Sequence, residues 1–342
     1  MKNAKRQQAI TNPRPTIHDV AKIAGVSTAT VSNVLRGTRF VGPARQKQVR
    51  DAIELLGYNP NWVAASLRAR RSGVIGLVVP DITINFFSGI LSRIEELAAG
   101  SNYQIILADA QERPERERQR VGALLRRQAD GLILIPCSDH SEVLGDISRQ
   151  KVPAVLVDRG GADSGLDSIQ VDNFAAAQAG AEHLLQLGHR NILAVGSNPS
   201  LQNIAQRIEG FQKAVKTARR SGRVISCIDA TDAHREVLQI LRTPSRPTAI
   251  FALTEKMALG SLRAIWESGI EFPTAISLIA FDDCEWMTAL RPFVSTLRQP
   301  IHEIAETAWS TLLRKLQGSP RPRVNKQLKC TLMVRESTRR PQ

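Results

Sequence analysis

At 342 residues the chain is long enough for two or three compact units, and a hydrophobic fraction of 42% is typical of a folded globular protein. Its formal net charge of +14 is unevenly distributed: residues 1–72 contain thirteen Lys or Arg and three acidic residues, a net charge of +10, and the remaining 270 residues carry only +4. This concentration predicts a polyanionic partner for the amino-terminal segment, with nucleic acid and an anionic membrane surface as the alternatives.

Several classes of protein are disfavoured by what the chain lacks. The four cysteines, at 137, 227, 284 and 330, are too far apart for a C-x-x-C ligand pair or a dense disulfide framework, which favours a reducing, cytoplasmic setting. Residues 1–15 contain no apolar signal-peptide run, and no apolar stretch approaches the roughly 20 residues that span a bilayer. The sequence contains none of the common catalytic and nucleotide-binding motifs. The segment nearest to one is H-E-I-A-E at 302–306, which lacks the second His of H-E-x-x-H. We therefore expect neither an enzyme nor a bound cofactor or metal.

The chain divides by pattern into a basic arm, a small helical segment, a short connector and a long α/β body. Residues 1–15 are polar and basic with two prolines and no apolar cluster, so we predict a disordered arm. We place a DNA-binding domain at 16–60, a hinge at 61–72 and a ligand-binding body at 73–342.

Residues 16–36 contain two short helical patterns on either side of a glycine. Thr16 can cap the first helix, and Ser27 can cap a second helix whose Val31 faces inward. Gly25 lies where the chain must turn sharply, and only glycine enters the left-handed region without steric cost. Two short helices joined in this way within a basic segment predict a helix-turn-helix.

The second helix of such a unit enters the major groove of DNA. By position, Asn33 can form paired hydrogen bonds with adenine, Ala29 can contact a thymine methyl group, and Thr28 can bind a base or a phosphate. His18 is expected to face phosphate. The alternative is a solvated polar helix surface. The predicted DNA contacts of this domain are Thr16, His18, Ser27, Thr28, Ala29, Thr30, Ser32, Asn33 and Arg36.

A third helix is predicted over residues 44–56, where Gly57 ends it. The following segment, N-W-V-A-A-S-L-R-A-R-R-S, is amphipathic but too short to be a stable isolated helix. Its Asn61, Ala64 and Leu67 are predicted to contact DNA, with Leu67 wedged into a minor-groove base step. A plain interdomain linker is the alternative.

The first 72 residues resemble the headpiece of the LacI family of repressors. The resemblance is carried by D-V-A-K-I-A-G-V-S-T-A-T-V-S at 19–32, G-Y-N-P-N at 57–61 and the hinge sequence A-A-S-L at 64–67, and it continues to R-E-S-T at 335–338. It implies a dimer that binds a palindromic operator, with paired hinge helices inserting Leu67 at the central step. The chain departs from the family pattern at Gly42 and at Arg45-Gln46, which puts one helix cap and one phosphate contact in doubt.

The body alternates short apolar runs with helical patterns, which predicts parallel sheets covered by helices on both faces. Strands are predicted at 74–79, 104–108, 131–135, 154–157, 191–195, 248–252 and 277–281. Helices are predicted at 87–99, 115–128, 173–187, 204–218 and 256–268. The fold class is therefore α/β, with a helical headpiece and a two-subdomain body that the resemblance implies is similar to periplasmic binding proteins. We place subdomain one at about 73–160 and 294–323, and subdomain two at about 161–293 and 324–342.

Polar and aromatic residues follow the predicted strands, where open parallel sheets bind ligands. Carboxylates accept pairs of hydroxyl groups, guanidinium groups donate in forks, and aromatic rings cover apolar sugar faces, so a sugar or sugar acid fits this composition. For Asp81, Asp109, Asp158 and Glu255, a capping or strand-end role is the alternative. The predicted effector-binding residues are Asp81, Asn85, Phe86, Phe87, Asp109, Arg159, Arg207, Phe251, Thr254, Glu255 and Asp282.

The family resemblance implies ligand-binding roles for two residues of this set. R-I-E-G-F at 207–211 and F-D-D at 281–283 resemble family segments whose Arg and first Asp bind the ligand, which implies these roles for Arg207 and Asp282. Thr254-Glu255 stands where many relatives have Asn-Asp, so a different ligand specificity is expected. The segment at 283–292, D-C-E-W-M-T-A-L-R-P, resembles regulators that respond to gluconate-type acids, notably 2-ketogluconate.

The expected partners are operator DNA, a small effector and a second copy of the chain. Only four residues follow R-E-S-T, which predicts a dimer without a tetramerising coil. A sugar receptor without DNA-binding function is the rival hypothesis, and the basic headpiece argues against it. The sequence leaves open whether the effector releases or strengthens DNA binding.

Overall fold

The computed structural model describes residues 15–36, 39–58, 71–137, 141–160, 164–319 and 322–341. Its internal contacts divide the chain into two units, Met1–Ser72 and Gly73–Gln342. Within the described ranges, no helix is both long and apolar enough to cross a lipid bilayer.

The described part of the first unit is a bundle of three helices. These are α1 (Ile17–Ile23), α2 (Thr28–Arg36) and α3 (Pro43–Leu56). Val20, Val31 and Val49, one from each helix, are fully buried and pack together. Because each helix is too short to be stable alone, this shared core holds the unit together.

Local signals set the helix ends of this unit. The hydroxyl and backbone N–H of Thr16 both donate to the carboxylate of Asp19, at 2.7 and 2.8 Å. The Ser27 hydroxyl accepts from the backbone N–H of Thr30 at 3.1 Å, which caps α2 as predicted. Gly25 has a φ of +63°, so the turn between the helices uses the conformation that favours glycine. The predicted helix-turn-helix is confirmed.

The second unit alternates strands and helices through most of its length. In chain order it contains β1 (Val74–Val79), α4 (Asn85–Gly100), β2 (Gln104–Asp109), α5 (Pro114–Arg126), β3 (Gly131–Leu134), α6 (Ser141–Gln150), β4 (Ala154–Val157), β5 (Asp167–Val171), α7 (Asn173–Gln186), β6 (Asn191–Gly196), α8 (Gln202–Thr217), β7 (Ser221–Ser226), α9 (Ala230–Leu241), β8 (Ala249–Ala252), α10 (Glu255–Ser268), β9 (Ser277–Phe281), a 3₁₀ turn (Glu285–Thr288), β10 (Ser295–Arg298), α11 (Ile301–Leu316), β11 (Asn325–Leu328) and β12 (Thr331–Met333).

These strands form two six-stranded sheets, as the repeated strand-helix pattern predicts. The first sheet has the order β11-β5-β4-β3-β1-β2 and is parallel throughout. The second has the order β12-β10-β9-β8-β6-β7, and β12 alone among its described strands is antiparallel to its neighbour. Strands β1, β3, β4, β6, β8 and β9 are largely apolar because helices cover both faces.

The predicted subdomain boundaries need correction. β5 and β11 belong to the first sheet, although residues 161–171 and 324–328 were assigned to the second subdomain. β10 belongs to the second sheet, whereas α11 packs in the core of the first. The error has a physical cause: β11 reads N-K-Q-L, a polar strand at a sheet edge that lacks the apolar signal of a buried strand.

Candidate functional site

A cavity of about 540 Å³ lies in the second unit, at the carboxyl ends of strands from both sheets. Such strand ends are where open parallel sheets bind ligands. Eight of the eleven residues predicted to bind the effector line this cavity. They are Asp81, Phe86, Phe87, Arg159, Arg207, Thr254, Glu255 and Asp282.

Arg207, on α8, forms one wall of the cavity and is only 3% exposed. Its Nε donates to Oδ1 of Asn173 and its Nη1 donates to the carbonyl oxygen of Leu253, both at 2.8 Å. Its guanidinium carbon lies 3.6 Å from the centre of the Phe281 ring. Burial lowers the pKa of Arg207, although the nearby carboxylate of Asp282 opposes this shift. Two bonds and a ring therefore hold the group in one orientation, and Nη2 is left for another partner.

Asp282 follows β9 directly and has a φ of +75°. This left-handed backbone turns the chain just after the strand, and Asp tolerates it better than most residues. Oδ1 of Asp282 accepts a 2.6 Å hydrogen bond from Nε2 of Gln299. Burial raises the pKa of Asp282, while Arg207 and Gln299 act in the opposite direction. The carboxylate thus retains capacity to accept further hydrogen bonds.

Asp158 and Arg159 bring a buried charge pair from the end of β4 to the cavity. Oδ2 of Asp158 accepts from Nδ2 of Asn203 at 2.9 Å, and burial raises the pKa of Asp158. Arg159 donates twice to Glu112, at 2.8 and 3.1 Å, and its guanidinium carbon lies 5.8 Å from the centre of the Phe87 ring. Asp158 was a candidate from its strand-end position, whereas Asn203 and Glu112 were missed.

Three buried polar atoms on the cavity wall form no hydrogen bond with any described residue. They are Oδ1 of Asp158, Nε of Arg159 and Oε1 of Gln299. Leaving such an atom unsatisfied costs roughly 1–3 kcal/mol. Two unpaired acceptors and one unpaired donor on residues that line the same cavity are therefore the strongest structural sign of a polar ligand.

Polar contacts join the two halves of the second unit across the cavity. Nζ of Lys256 lies 2.7 Å from Oδ2 of Asp81. Burial alone would raise the pKa of Asp81, but the hydrogen bonds from Lys256 and Thr83 lower it. Nδ2 of Asn85 donates to Oε1 of Glu255 at 2.5 Å. Thr254 caps α10 by accepting from a backbone N–H at 3.3 Å, so its position has a structural role as well.

Three of the predicted effector-binding residues lie outside the cavity. Phe251, in the middle of β8, is fully buried and packs edge-on against Phe211, so the prediction of effector contact is wrong. Asp109 ends the edge strand β2 and is not among the residues that line the cavity. Asn85 lines a neighbouring pocket of about 410 Å³ that shares Asp282 with the main cavity. Sequence inspection could not separate these residues because a strand end alone does not tell which way a side chain points.

The predicted recognition helix presents polar side chains beside a buried apolar face. Ala29 is exposed, and Thr28, Thr30, Ser32 and Asn33 are half-buried on α2. Thr16, His18 and Ser27 are exposed at the starts of α1 and α2. The side chain of Arg36 and the hinge residues Asn61, Ala64 and Leu67 lie outside the described residues, so their predicted DNA contacts remain predictions.

Comparison with known proteins gives a consistent result along nearly the whole chain. The family model of bacterial regulatory proteins, lacI family, matches residues 16–61, and that of the periplasmic binding protein-like domain matches residues 181–338. The chain is 30% identical over 329 residues to the catabolite control protein A of Priestia megaterium, which covers 95% of this chain and 99% of that protein.

Solved structures show the same architecture. The lac repressor dimer bound to operator and the anti-inducer ONPF superposes with a TM-score of 0.85 at 27% identity, covering 95% of this chain and 99% of that one. The complex of the transcriptional regulator CelR with cellobiose superposes with a TM-score of 0.71 at 26% identity, covering 95% and 100%.

Proposed function

Because the chain belongs to the lacI family of bacterial regulatory proteins, whose members repress transcription by binding operator DNA as dimers, we propose that this repressor is controlled by a sugar or sugar acid held in the 540 Å³ cavity. The supporting observation is the set of unpaired polar atoms of Asp158, Arg159 and Gln299 on one cavity wall. Hydroxyl groups of a polyol both donate and accept, so one such ligand satisfies acceptors and donor together.

The best candidate within this class is gluconate or 2-ketogluconate. Asp158 and Asp282 supply buried acceptors for hydroxyl groups, and Arg207 offers Nη2 to a carboxylate from a fixed orientation. A hexonate carries both kinds of group on one short chain. Phe86 and Phe87 add aromatic surface for its carbon backbone.

We propose that effector binding derepresses transcription through a shift between two arrangements of the body subdomains. The cavity is lined from both sheets, so a ligand interacts differently with an open and a closed arrangement, which is the condition for shifting their populations. In the headpiece, Asn33, Ala29 and Thr28 of α2 contact bases of a palindromic operator. In the hinge, Asn61, Ala64 and Leu67 contact the minor groove at its centre.

One experiment tests the effector and its sign together. The preferred duplex is first selected from a random library with the full-length protein. A thermal-shift screen then compares gluconate, 2-ketogluconate, glucose and ribose, and each hit is added to a gel shift with the selected duplex and with a scrambled control duplex. We expect a hexonate to raise the unfolding temperature and to release the selected duplex.

Different failures affect different parts of the proposal. Stabilisation by neutral sugars alone would refute the hexonate assignment and leave the sugar class standing. Equal affinity for the selected and the scrambled duplex would refute sequence-specific binding. A hexonate that strengthens the shifted band would refute derepression. Full operator affinity in the Leu67→Ala variant would remove the minor-groove role of Leu67.

A further inference from the structure

Six arginines lie together at the amino-terminal edge of the second sheet, the edge opposite the strand ends that line the cavity. We call this group the basic rim, and it consists of Arg190, Arg219, Arg220, Arg246, Arg339 and Arg340. In the sheet, Asn191 of β6 pairs with Ser221 of β7, and Ile192 pairs with Ala249 of β8. Arg190 and Arg220 directly precede β6 and β7, and Arg246 lies three residues before β8. These arginines therefore lie at the amino-terminal ends of three adjacent strands, which are spaced about 4.8 Å apart.

Backbone contacts join the loops that carry the rim. The N–H of Ser221 donates to the carbonyl oxygen of Arg190 at 3.0 Å, and Nδ2 of Asn191 donates to that of Arg246 at 3.3 Å. At the end of the chain, the N–H of Arg339 donates to Oγ of Ser277 at 2.9 Å, at the start of β9. The six arginines thus belong to one surface, although they are up to 150 positions apart in sequence.

All six side chains are exposed, and no hydrogen bond or ion pair of their guanidinium groups is found with the described residues. The loops before β6, β7, β8 and β9, together with residues 339–341, contain one acidic residue, Glu271, which is also exposed. Some arginines elsewhere in the body are neutralised: Arg118 on α5, for example, pairs with Asp146 at 3.0 Å and with Glu142. The rim is therefore an uncompensated cationic surface.

A structural role explains only part of the rim. Basic residues stabilise the carboxyl ends of helices, and Arg219 and Arg220 follow α8 closely. Arg219 has a φ of +52°, in the left-handed region where glycine is more usual. Arg190 lies three residues beyond Leu187, the carboxyl-terminal cap of α7, and Arg246 lies four residues beyond Arg242, the cap of α9. Arg339 and Arg340 lie after β12 and have no helix end to stabilise.

We propose that the basic rim binds the phosphate backbone of duplex DNA, as a second contact separate from the helix-turn-helix. Arginine binds phosphate strongly and gains affinity by releasing counterions. None of the exposed large hydrophobic residues of the described chain lies in the rim loops. This composition disfavours a protein partner, which needs an apolar centre, and a single strand, which needs aromatic platforms. The rim would let an operator-bound repressor hold a second DNA segment without sequence preference.

The test uses the full-length repressor loaded with one equivalent of unlabelled operator duplex per dimer, so that the headpieces are occupied and no free operator competes for the rim. A labelled duplex of scrambled sequence is then titrated, and its anisotropy is measured between about 50 and 200 mM salt. If all six arginines contact phosphates, the slope of log affinity against log salt is about −5. The variant R190Q/R220Q/R246Q/R340Q should bind the second duplex at least tenfold more weakly and lose more than half of that slope.

A matched control separates the rim from net charge. The variant R113Q/R120Q/R126Q/R127Q changes four exposed arginines around α5 of the first sheet and removes the same charge. It should bind the second duplex like the unchanged protein. A variant with lysine at the four rim positions keeps the charge and should retain most of the affinity for the second duplex. That result would also show that substitution at these positions leaves the fold intact.

Three outcomes would overturn the proposal. The first is that the unchanged protein fails to bind a second duplex. The second is that the rim variant and the control variant lose the same affinity for that duplex. The third is that inorganic polyphosphate binds the rim and duplex DNA does not. None of these outcomes bears on effector binding, so the proposed effector would stand or fall separately.

Discussion

Two neighbouring aspartates offer a sharp test of the effector site because their surroundings are opposite. Asp282 lines the cavity, accepts one hydrogen bond from Gln299, and has its pKa raised by burial. For Asp283, burial alone would raise the pKa, but bonds from Arg335, Arg298 and Thr296 lower it. We predict that Asp282→Asn weakens effector binding with little effect on stability. Asp283→Asn should instead lower stability with little effect on effector binding.

The stability of the Asp282→Asn variant follows from its geometry. Asparagine has nearly the same shape, accepts from Gln299 through its oxygen, and is well suited to the left-handed backbone at this position. Removing the charge removes its desolvation penalty and also one partner of Arg207. These two changes oppose each other, so the free energy of unfolding should change by no more than about 1 kcal/mol.

The binding loss is larger because the effector interacts with the charged form. A hydrogen bond to a charged group contributes about 1.5–3 kcal/mol. Losing one such bond from an effector hydroxyl to the Asp282 carboxylate should weaken binding about 10- to 150-fold.

The matched variant loses a different set of contacts. Asp283 accepts from Arg335 at 2.7 and 2.9 Å, from Arg298 at 2.6 Å and from Thr296 at 2.9 Å. Asparagine has one acceptor oxygen and cannot serve both arginines, so Asp283→Asn should cost about 2–4 kcal/mol. That corresponds to a fall in Tm of about 5–10 °C.

Calorimetric unfolding and isothermal titration with the hexonate identified by the thermal-shift screen measure both effects. The reasoning would be refuted if the two variants lost effector affinity to the same extent. It would also be refuted if Asp282→Asn bound the effector like the unchanged protein.

Two further predictions follow from burial and packing. Burial raises the pKa of Asp158 and Asp282 above the ordinary value of 3.8. Effector hydroxyl groups would stabilise the charged carboxylates, so effector binding should release protons. The affinity for the effector should therefore increase as the pH rises through those pKa values. Titration in two buffers of different ionisation enthalpy counts the protons, and proton uptake on binding would contradict this sign. Gly210→Ala would place a Cβ 2.2 Å from the carbonyl oxygen of Phe174 and should destabilise the protein by about 2 kcal/mol or more in denaturant unfolding. Gly100→Ala, which meets nothing within 4 Å, should be neutral or stabilising, and equal losses in the two variants would rule out the clash.

The elements that could be predicted from the sequence are those whose signals are local. Ser27 and Gly25 fix the ends of the headpiece helices through contacts within a few residues. The apolar runs of β1, β3, β4, β6, β8 and β9 are equally visible, because strands buried on both faces are usually apolar. β5 is an exception, since it is fully buried but reads D-S-I-Q-V, and it was missed. Edge strands such as β11 and β7 were missed because their polar side chains face solvent.

The site could be predicted only to the level of strand ends. Arg207 and Asp282 follow from position and from the family resemblance, and the structure brings both to the cavity. Gln299 follows β10, a strand whose short S-T-L-R sequence gave no signal. Asn203 donates to a carboxylate 45 positions earlier in the chain, and such a pairing is set by the relative placement of two sheets. Tertiary geometry of this kind is not encoded in any local pattern.

The bonds across the cavity explain how an effector could influence the arrangement of the body. The chain passes between the two sheets three times, after β5, after β10 and after β11, so the halves can rotate but remain joined. Asp158 of the first half is held by Asn203 of the second, and its other oxygen is unpaired. A ligand that donates to Asp158 and to Asp282 adds bonds to both halves at once, and its full binding energy is available only when they are close together. In the proposed function, the residues that bind the ligand therefore also couple its binding to the distance between the subdomains.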